Sequence, residues 1–365
     1  MSGMGIGMGM GIGIVGCGTI SGIYLENMPR FRGLSLKAVA DLRPEAAEAA
    51  ARAHGVAALS VTGLLARDDI DIVVNLTIPA AHAEVGRQVL EAGKHLYLEK
   101  PLAADLGAAR AMVDLAATRG LRIGCAPDTF LGGGHQAARA AFDGGAIGRP
   151  LGGTATMMVA GHERWHPNPD FYYADPGGGP LMDMGPYYVT ALVQLLGPVA
   201  EVTALSSRPR DIRTIGQGDR AGQSVPVEVD THLLGILRFA DGALVQIAMS
   251  FDVDGHWHSP LEIYGTEGSM RLPDPNRFDG QVELSGGSVL SAGDRPYGEG
   301  NWRGIGLADM AAAIHEDRPH RASATLAFHV LDVIDALHRA AEAGRAVRID
   351  STCTRPAPMP EEDMR

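Results

Sequence analysis

Lys100 is the residue whose surroundings point most directly to chemistry. It follows a short apolar strand and precedes a proline, in the order Glu99-Lys100-Pro101. Proline restricts the preceding residue to extended backbone, which fixes where the lysine side chain begins. An ammonium group there could hydrogen-bond the oxygen of an alcohol whose carbon gives up hydride. The alternative is an ordinary salt-bridged lysine at a strand end.

A second candidate group lies in the glycine-rich segment 177–188. Asp183 and Tyr187 are four residues apart and would share one face of a helix. The glycines before them would let a backbone or a flat ligand approach closely. Pro186 would then have to lie in the first helical turn or kink the helix. An acidic residue favoured by the helix dipole is the structural alternative for Asp183.

Residues 11–41 have the order strand, glycine turn, helix, strand and acidic residue that a bound dinucleotide requires. Gly16 permits the tight turn, and Gly18 lets the backbone approach a pyrophosphate at the helix N-terminus. Asp41 ends the second strand and could accept both hydroxyls of the adenosine ribose. Because a carboxylate repels a 2′-phosphate, Asp41 favours NAD over NADP, although Arg43 could soften that preference.

The same segment contains an earlier match to G-x-G-x-x-G, from Gly11 to Gly16. That match lies inside the apolar run, and no helix follows its second glycine. We therefore assign the turn to the later register, in which the small residue Ser21 replaces the third glycine. An ordinary βα turn without a ligand is the alternative.

The elements that must position these residues change character near residue 128. Strands and helices alternate up to that point, which predicts a parallel, doubly wound sheet with ligands beyond the carboxyl ends of its strands. Runs of strands with few helices follow, which predicts a mainly antiparallel open sheet. The predicted fold class is α/β, with one domain over residues 1–128 and an α+β domain over residues 129–365.

Composition excludes several classes of protein. The chain has 365 residues and a formal net charge of −12, and no basic stripe suggests a nucleic-acid partner. No apolar run approaches the roughly 18 residues of a membrane span. The three cysteines stand far apart and indicate reduced thiols of a cytoplasmic protein. The Gly/Met-rich residues 1–10 do not resemble a signal peptide, and residues 351–365 are expected to form a tail.

Three further groups admit two interpretations each. His162-Glu163-Arg164-Trp165-His166 matches the H-E-x-x-H zinc pattern, but Pro167 disfavours the helix that this chemistry needs, so no metal is predicted. The aromatic segment 165–173 could instead form a loop that offers ring faces to sugar C–H groups, or a packed surface loop. Asp128 could contact nicotinamide or substrate, or could serve as a turn or cap.

Four motifs in this order resemble the Gfo/Idh/MocA family of sugar and inositol dehydrogenases. They are Gly16-x-Gly18-x-Ile-Ser, Thr77-x-Pro79-x-x-His82, Glu99-Lys100-Pro101 and the glycine-rich segment with Asp183. The resemblance implies a Rossmann domain that holds NAD(P), and an α/β domain whose open sheet mediates assembly into a homodimer or homotetramer. It also implies a sugar or polyol bound between the domains, with Lys100 and Asp183 in the catalytic group.

One position departs from the family pattern, because Tyr187 stands where the family's catalytic histidine belongs. A free tyrosine has a pKa of about 10. Tyr187 could still relay a proton if the lysine and the nicotinamide's positive charge lower its pKa. Otherwise Lys100 would carry the proton or the site would be impaired. A catalytically silent dinucleotide-binding sensor or scaffold is therefore the alternative function.

The candidate residues fall into three sets. The catalytic candidates are Lys100, Asp183 and Tyr187. The substrate-binding candidates are Lys100, Asp128, His166, Asp183 and Tyr187. The cofactor-binding candidates are Gly16, Gly18, Thr19, Ile20, Asp41, Leu42, Arg43, Thr77, Pro79, His82, Glu99, Lys100 and Asp128.

Overall fold

The computed structural model describes residues 9–293 and 295–360. Contacts within the chain separate two compact units. Among the described residues, the first comprises residues 9–128, Asn301–Ala324 and Pro360, and the second comprises Thr129–Gly300 and Thr325–Met359. The chain changes unit after Asp128, and Asn301–Ala324 belongs to the first unit. The division into domains over residues 1–128 and 129–365 remains a prediction.

Strands and helices alternate in the first part of the chain and strands dominate the second part. In the described residues the strands are β1 (Met10–Val15), β2 (Leu34–Ala40), β3 (Ala57–Leu59), β4 (Ile72–Asn75), β5 (His95–Leu98), β6 (Ile123–Cys125), β7 (Pro150–Met158), β8 (Val199–Ser207), β9 (Ile212–Thr214), β10 (Ser224–Pro226), β11 (His232–Phe239), β12 (Leu244–Ser250), β13 (Leu261–Gly265), β14 (Ser269–Leu272), β15 (Gln281–Leu284), β16 (Val289–Ser291) and β17 (Val347–Arg348). The α-helices are α1 (Ser21–Asn27), α2 (Pro44–His54), α3 (Val61–Leu65), α4 (His82–Glu91), α5 (Leu106–Thr118), α6 (Gly133–Asp143), α7 (Pro180–Leu196), α8 (Ile305–His315) and α9 (Ala324–Ala343).

The first unit contains a six-stranded sheet in the order β3-β2-β1-β4-β5-β6, and every pair is parallel. The order reverses beside β1, as in doubly wound sheets. Its central strands are buried, and Ile12 and Ile14 have no exposed surface. Helix α8 contributes Leu307 and Met310 to the same core, so the returning segment completes this unit.

The second unit contains a nine-stranded sheet in the order β16-β15-β14-β13-β7-β12-β11-β8-β17. Its pairs are antiparallel except for β7 with β12. Along β11, buried and exposed residues alternate. The buried face lies under helices, since Gly235 of β11 approaches Leu337 of α9 too closely for a side chain to intervene. The predicted fold class, a parallel Rossmann sheet followed by a mainly antiparallel open sheet, is confirmed.

Several sequence details needed correction. Pro186 lies inside α7 rather than in its first turn, so the carbonyl of Met182 loses its helical donor. Of the Gly/Met-rich residues 1–10, only residues 9 and 10 lie in the described range, and Met10 already belongs to β1. Of the predicted tail, residues 361–365 lie outside the described range. Residues 351–360 pack in place, because Pro356 and Met359 hydrogen-bond Arg139 and Gln136 of α6.

Within the described ranges, no helix is both long enough and apolar enough to cross a membrane.

Candidate active site

The glycine turn follows β1 and precedes α1, as the later register predicts. Gly16 has a φ of +101°, and a Cβ there would lie 2.7 Å from the carbonyl of Leu76, so only glycine fits. A Cβ on Gly18 would meet nothing within 4 Å, which leaves the turn open on its outer side. This open backbone at a helix N-terminus suits the pyrophosphate of a dinucleotide.

Asp41 follows β2 and points back to the glycine turn. Its Oδ2 accepts the backbone N–H of Cys17 at 2.7 Å, and its Oδ1 accepts that of Arg43 at 2.8 Å. The Arg43 guanidinium is two-thirds exposed and lies 3.7 Å from the same carboxylate, while Leu42 is almost fully exposed. Burial and the Asp41 charge raise the pKa of the Cys17 thiol to about 11, so this thiol stays protonated at neutral pH. The Asp41 carboxylate is therefore held beside the glycine turn, and its predicted contact with an adenosine ribose remains a prediction.

His82 ties together two of the predicted cofactor loops. It has no exposed surface, and its ring nitrogens lie 2.7 Å from the Pro101 carbonyl and 3.1 Å from the Thr77 carbonyl. The Thr77 hydroxyl donates to the Asn75 side chain at 2.6 Å. Burial lowers the pKa of His82. The His82 side chain holds the loops after β4 and β5, and its predicted contact with the cofactor remains a prediction.

Glu99 holds the backbone beside Lys100. It is buried, and its carboxylate accepts the Tyr24 hydroxyl at 2.9 Å and the backbone N–H of Lys100 at 3.0 Å. The Arg303 guanidinium lies 4.0 Å from the same carboxylate. Arg303 belongs to the segment that returns to the first unit. The backbone of the lysine is therefore held by a network of three residues, Tyr24, Glu99 and Arg303, and not by a loose strand end.

Asp128 acts as a buried cap within the first unit. Its Oδ2 accepts the backbone N–H groups of Gly304 and Gly306, at 2.9 and 3.0 Å, at the start of α8. The Tyr97 hydroxyl lies 3.3 Å from the same oxygen. Burial raises the pKa of Asp128 to about 6. The cap alternative describes its geometry, while the contact predicted with cofactor or substrate remains a prediction.

In the second unit, Asp183 lies in the first turn of α7 and pairs with a histidine. Its Oδ2 is 3.1 Å from His162 Nε2, and both side chains are mostly buried. His162 follows Gly161, four residues beyond the end of β7. Tyr187 lies one helical turn after Asp183 and is 6% exposed, so the predicted helix over these two residues is confirmed. The structure thus brings Asp183 next to a histidine that sequence reasoning did not assign to it.

A buried ionic network fixes the segment that carries His162. Arg213 donates to Glu163 at 3.1 Å and to Asp252 at 2.6 Å, and all three side chains are almost inaccessible. The Tyr173 hydroxyl donates to Glu163 and accepts the backbone N–H of His162. Gly161 has a φ of +106°, and a Cβ there would collide with the Glu163 carboxylate. Removing one member would leave a buried charge unpaired.

Aromatic rings surround His162. Its ring centroid lies 4.3 Å from that of Tyr172 and 4.5 Å from that of Phe251, and these two rings are 6.2 Å apart, so they contact two adjacent sides of the imidazole. Trp165 and Phe171 lie farther out and are each about half exposed. The predicted substrate residue His166 lies in this cluster, 5.4 Å from the rings of both Trp165 and Phe171. These faces suit the C–H groups of a sugar ring.

The H-E-x-x-H segment does not form the helix that a zinc site needs. His162–Arg164 is a single 3₁₀ turn, and His162 uses its Nε2 for Asp183. Among residues 9–293 and 295–360, no three His, Cys, Asp or Glu side chains come together as a metal site.

Sequence reasoning missed His162 as a partner of Asp183. The two residues lie 21 positions apart, in separate elements. The only sequence signal was a histidine next to a glycine just after a strand, and the zinc pattern offered a different interpretation of the same residue.

Comparison with known proteins places the chain in a family. Residues 10–126 match the oxidoreductase family with an NAD-binding Rossmann fold, and residues 135–271 match the GFO/IDH/MocA C-terminal domain. The chain belongs to the Gfo/Idh/MocA family. It is an NAD-binding oxidoreductase, and the resemblance seen in the sequence is confirmed.

Relatives within the Gfo/Idh/MocA family include named dehydrogenases. Levoglucosan dehydrogenase of Pseudarthrobacter phenanthrenivorans is 29% identical over 294 residues, which cover 73% of this chain and 74% of the relative. Inositol 2-dehydrogenase of Rhizobium meliloti is 28% identical over 259 residues, or 70% and 73% of the two chains. A solved levoglucosan dehydrogenase in complex with NADH and L-sorbose is 26% identical, with a TM-score of 0.80 over 94% of this chain and 99% of that one.

Proposed function

We propose that the protein transfers a hydride between NAD and a hydroxyl-bearing carbon of a sugar, sugar derivative or cyclitol. NAD, when bound, supplies or accepts the hydride. The observation that carries the substrate class is the Asp183–His162 pair beside the half-exposed rings of Trp165 and Phe171. A carboxylate with an imidazole binds hydroxyl groups, and aromatic faces pack against sugar C–H groups. The relatives named for levoglucosan and inositol support the same class.

Each of three side chains has a role in this proposal. Lys100 orients and polarises the reacting oxygen by a charge-assisted hydrogen bond. Asp183 holds the substrate hydroxyls. The sequence motif suggests Tyr187, at the family's histidine position, as the candidate for the proton relay. The buried network around Glu99 supports the first role, because it fixes the backbone from which Lys100 extends.

The cofactor preference follows from Asp41. Both of its carboxylate oxygens are occupied by backbone N–H groups, so the charge is held in one place. A fixed negative charge repels the 2′-phosphate of NADP and accepts the two hydroxyls of NAD. We therefore propose NAD as the working cofactor.

The open face of the large sheet supports assembly of this chain with copies of itself. Leu205 and Leu234 face each other across β8 and β11, and they are 72% and 44% exposed. Ile236 and Leu244 extend this apolar surface, each about half exposed. A two-fold axis would place the same patch on both sides of an interface. We propose a homodimer or homotetramer formed through this sheet.

The free cysteines Cys17, Cys125 and Cys353 support a reducing compartment, the cytoplasm.

The experiment that tests the function is a panel of sugars and cyclitols with NAD⁺, monitored at the absorbance band of NADH. The panel contains levoglucosan, myo-inositol and D-xylose, and NADP⁺ serves as the matched cofactor control. We expect NADH formation with at least one member. Tight NAD binding without any NADH formation would instead favour the catalytically silent sensor or scaffold.

A further inference from the structure

Both ring nitrogens of His162 have a hydrogen-bond partner. Nε2 lies 3.1 Å from Asp183 Oδ2, and the indole N–H of Trp165 donates to Nδ1 at 3.1 Å. The rings of Tyr172 and Phe251 pack against two adjacent sides of the imidazole, with interplanar angles of 64° and 53°. The side chain is 12% exposed, so it is fixed without being sealed from ligands.

These contacts assign the tautomer of His162. An indole N–H can only donate, so Nδ1 must carry a lone pair when Trp165 is bound to it. In the neutral imidazole the proton then lies on Nε2 and is donated to the Asp183 carboxylate. Nδ1 is therefore the nitrogen able to take up a proton. The negative charge of Asp183 beside Nε2 would stabilise the imidazolium that results. This is the arrangement of a general base with its orienting carboxylate.

Trp165 covers that basic nitrogen from an exposed position. Its side chain is about half exposed and lies at the end of a single 3₁₀ turn, whereas Phe251, on another side of His162, is fully buried. A substrate hydroxyl is also a hydrogen-bond donor, so it could replace the indole at Nδ1 without leaving a buried group unsatisfied.

We propose that the indole N–H of Trp165 occupies the position of the substrate hydroxyl until substrate binds, and that His162 is the proton acceptor of the reaction. This inference rests on the proposed function. The substrate hydroxyl takes the place of the indole N–H at Nδ1. The C–H bond breaks, and hydride passes with both electrons to nicotinamide. The O–H bond breaks, its proton passes to Nδ1, and a carbonyl group forms. Asp183 stabilises the imidazolium, which later releases the proton to water.

This assignment supplies the histidine that position 187 lacks. The imidazole comes from the segment after β7 instead of from the next turn of α7, yet it reaches the same Asp183 carboxylate. Imidazole titrates near neutral pH without a special environment, whereas a phenol does not. The substitution at Tyr187 therefore does not by itself imply an impaired site.

The test begins with a readout that needs no turnover. The protein is labelled with 5-fluorotryptophan and saturated with NADH, and levoglucosan, myo-inositol and D-xylose are added in turn. The chain has three tryptophans, so the ¹⁹F resonances can be assigned with Trp165→Phe and Trp257→Phe variants. We expect the Trp165 resonance to move saturably with the polyol that is oxidised. The resonance of the fully exposed Trp257 should not move.

Steady-state kinetics then distinguish the role of His162 from that of Trp165. His162→Gln can still accept the indole N–H but cannot take up a proton, so kcat should fall about 100- to 10,000-fold. The matched control is His256→Gln, on an exposed loop, whose kcat should stay within about twofold of the wild type. Trp165→Phe keeps an aromatic face but removes the competing donor. The KM for the polyol should therefore fall about fivefold with little change in kcat.

Chemical rescue distinguishes the loss of a proton acceptor from a structural effect of the substitution at His162. His162→Gly leaves an imidazole-sized space beside Tyr172 and Phe251, and added imidazole should restore turnover at least tenfold in this variant only. The inference is overturned if the wild type turns over while the Trp165 resonance stays fixed and His162→Gln retains its kcat. Absence of NADH formation with every polyol counts against the proposed function itself.

Discussion

His162 Nε2 lies 3.1 Å from Asp183 Oδ2, and this contact joins the segment after β7 to the first turn of α7. The imidazole gains a carboxylate partner, and the carboxylate gains a donor that fixes its orientation. We therefore expect these two side chains to act together. A change in either should affect the chemistry more than it affects cofactor binding, because the glycine turn and Asp41 belong to the other unit of the chain.

Asp183→Asn should show this separation. The amide keeps the size of the side chain and can still accept from His162, but it cannot stabilise an imidazolium. We expect kcat to fall about 100-fold while the Kd for NADH stays within about twofold. Steady-state kinetics and NADH fluorescence titration measure the two quantities. The exposed Asp254, paired with Arg164 at 2.6 Å, provides the control substitution Asp254→Asn. A wild-type kcat in Asp183→Asn would refute the role of the charge.

Asp41→Ser should weaken the preference for NAD. Loss of the carboxylate removes the ribose contacts and the repulsion of a 2′-phosphate, and it leaves Arg43 beside the site. We expect kcat/KM for NAD⁺ to fall about tenfold and that for NADP⁺ to rise. Glu45→Gln, a change to an exposed acidic residue nearby, should leave the ratio of the two values as it is. An unchanged ratio in Asp41→Ser would place the ribose elsewhere.

Much of the fold could be predicted because its signals are local. The glycine turn, Asp41 and the helix that carries Asp183 and Tyr187 each lie within one short pattern of period 2 or 3.6. The alternation of strands and helices then fixed a parallel sheet, and the carboxyl ends of its strands located the loops that hold Thr77 and Lys100.

The features that escaped prediction depend on distant pairings. Arg213 meets Glu163 across 50 residues, and Asn27 meets the Arg303 carbonyl across 276. No periodicity encodes such contacts. The sequence therefore could not show that Asn301–Ala324 returns to the first unit, that Asp128 caps α8, or that His162 reaches Asp183. Short strands such as β3 and β17 were missed because two or three residues carry too little pattern.

Asp128→Asn should change how stability depends on pH. Burial raises the pKa of Asp128 to about 6 in the folded state, against about 3.9 in an unfolded chain. The folded state therefore binds a proton that the unfolded state has released. This contribution to stability is complete below pH 4 and is lost as the pH rises through about 6. The loss amounts to at most about 3 kcal/mol.

Asn keeps an acceptor for Gly304 and Gly306 but cannot ionise. The free energy of unfolding of Asp128→Asn, relative to that of the wild type, should thus increase between pH 4 and pH 7, because only the wild type loses stability over this range. Urea unfolding at several pH values measures it. A difference that does not vary with pH would show that Asp128 titrates normally.

Leu234→Glu should disrupt assembly through the open sheet. The substitution places a charge opposite Leu205, at the centre of the exposed apolar face, where a second copy would have to bury it. Size-exclusion chromatography with light scattering should show a smaller assembly than for the wild type. Leu42→Glu is the control, since Leu42 is 94% exposed in the other unit. A wild-type protein that is already a monomer would contradict the proposal.

Lys100→Met tests the hydride-transfer account most directly, through NAD⁺ reduction with the best polyol of the panel together with the Kd for NADH. Methionine keeps the length and apolar stem of lysine and removes only the ammonium group. The account predicts that NADH formation falls by at least about 1,000-fold while the Kd for NADH changes less than about threefold. Retained turnover, or loss of NADH binding in place of turnover, would show that Lys100 does not act on the substrate oxygen.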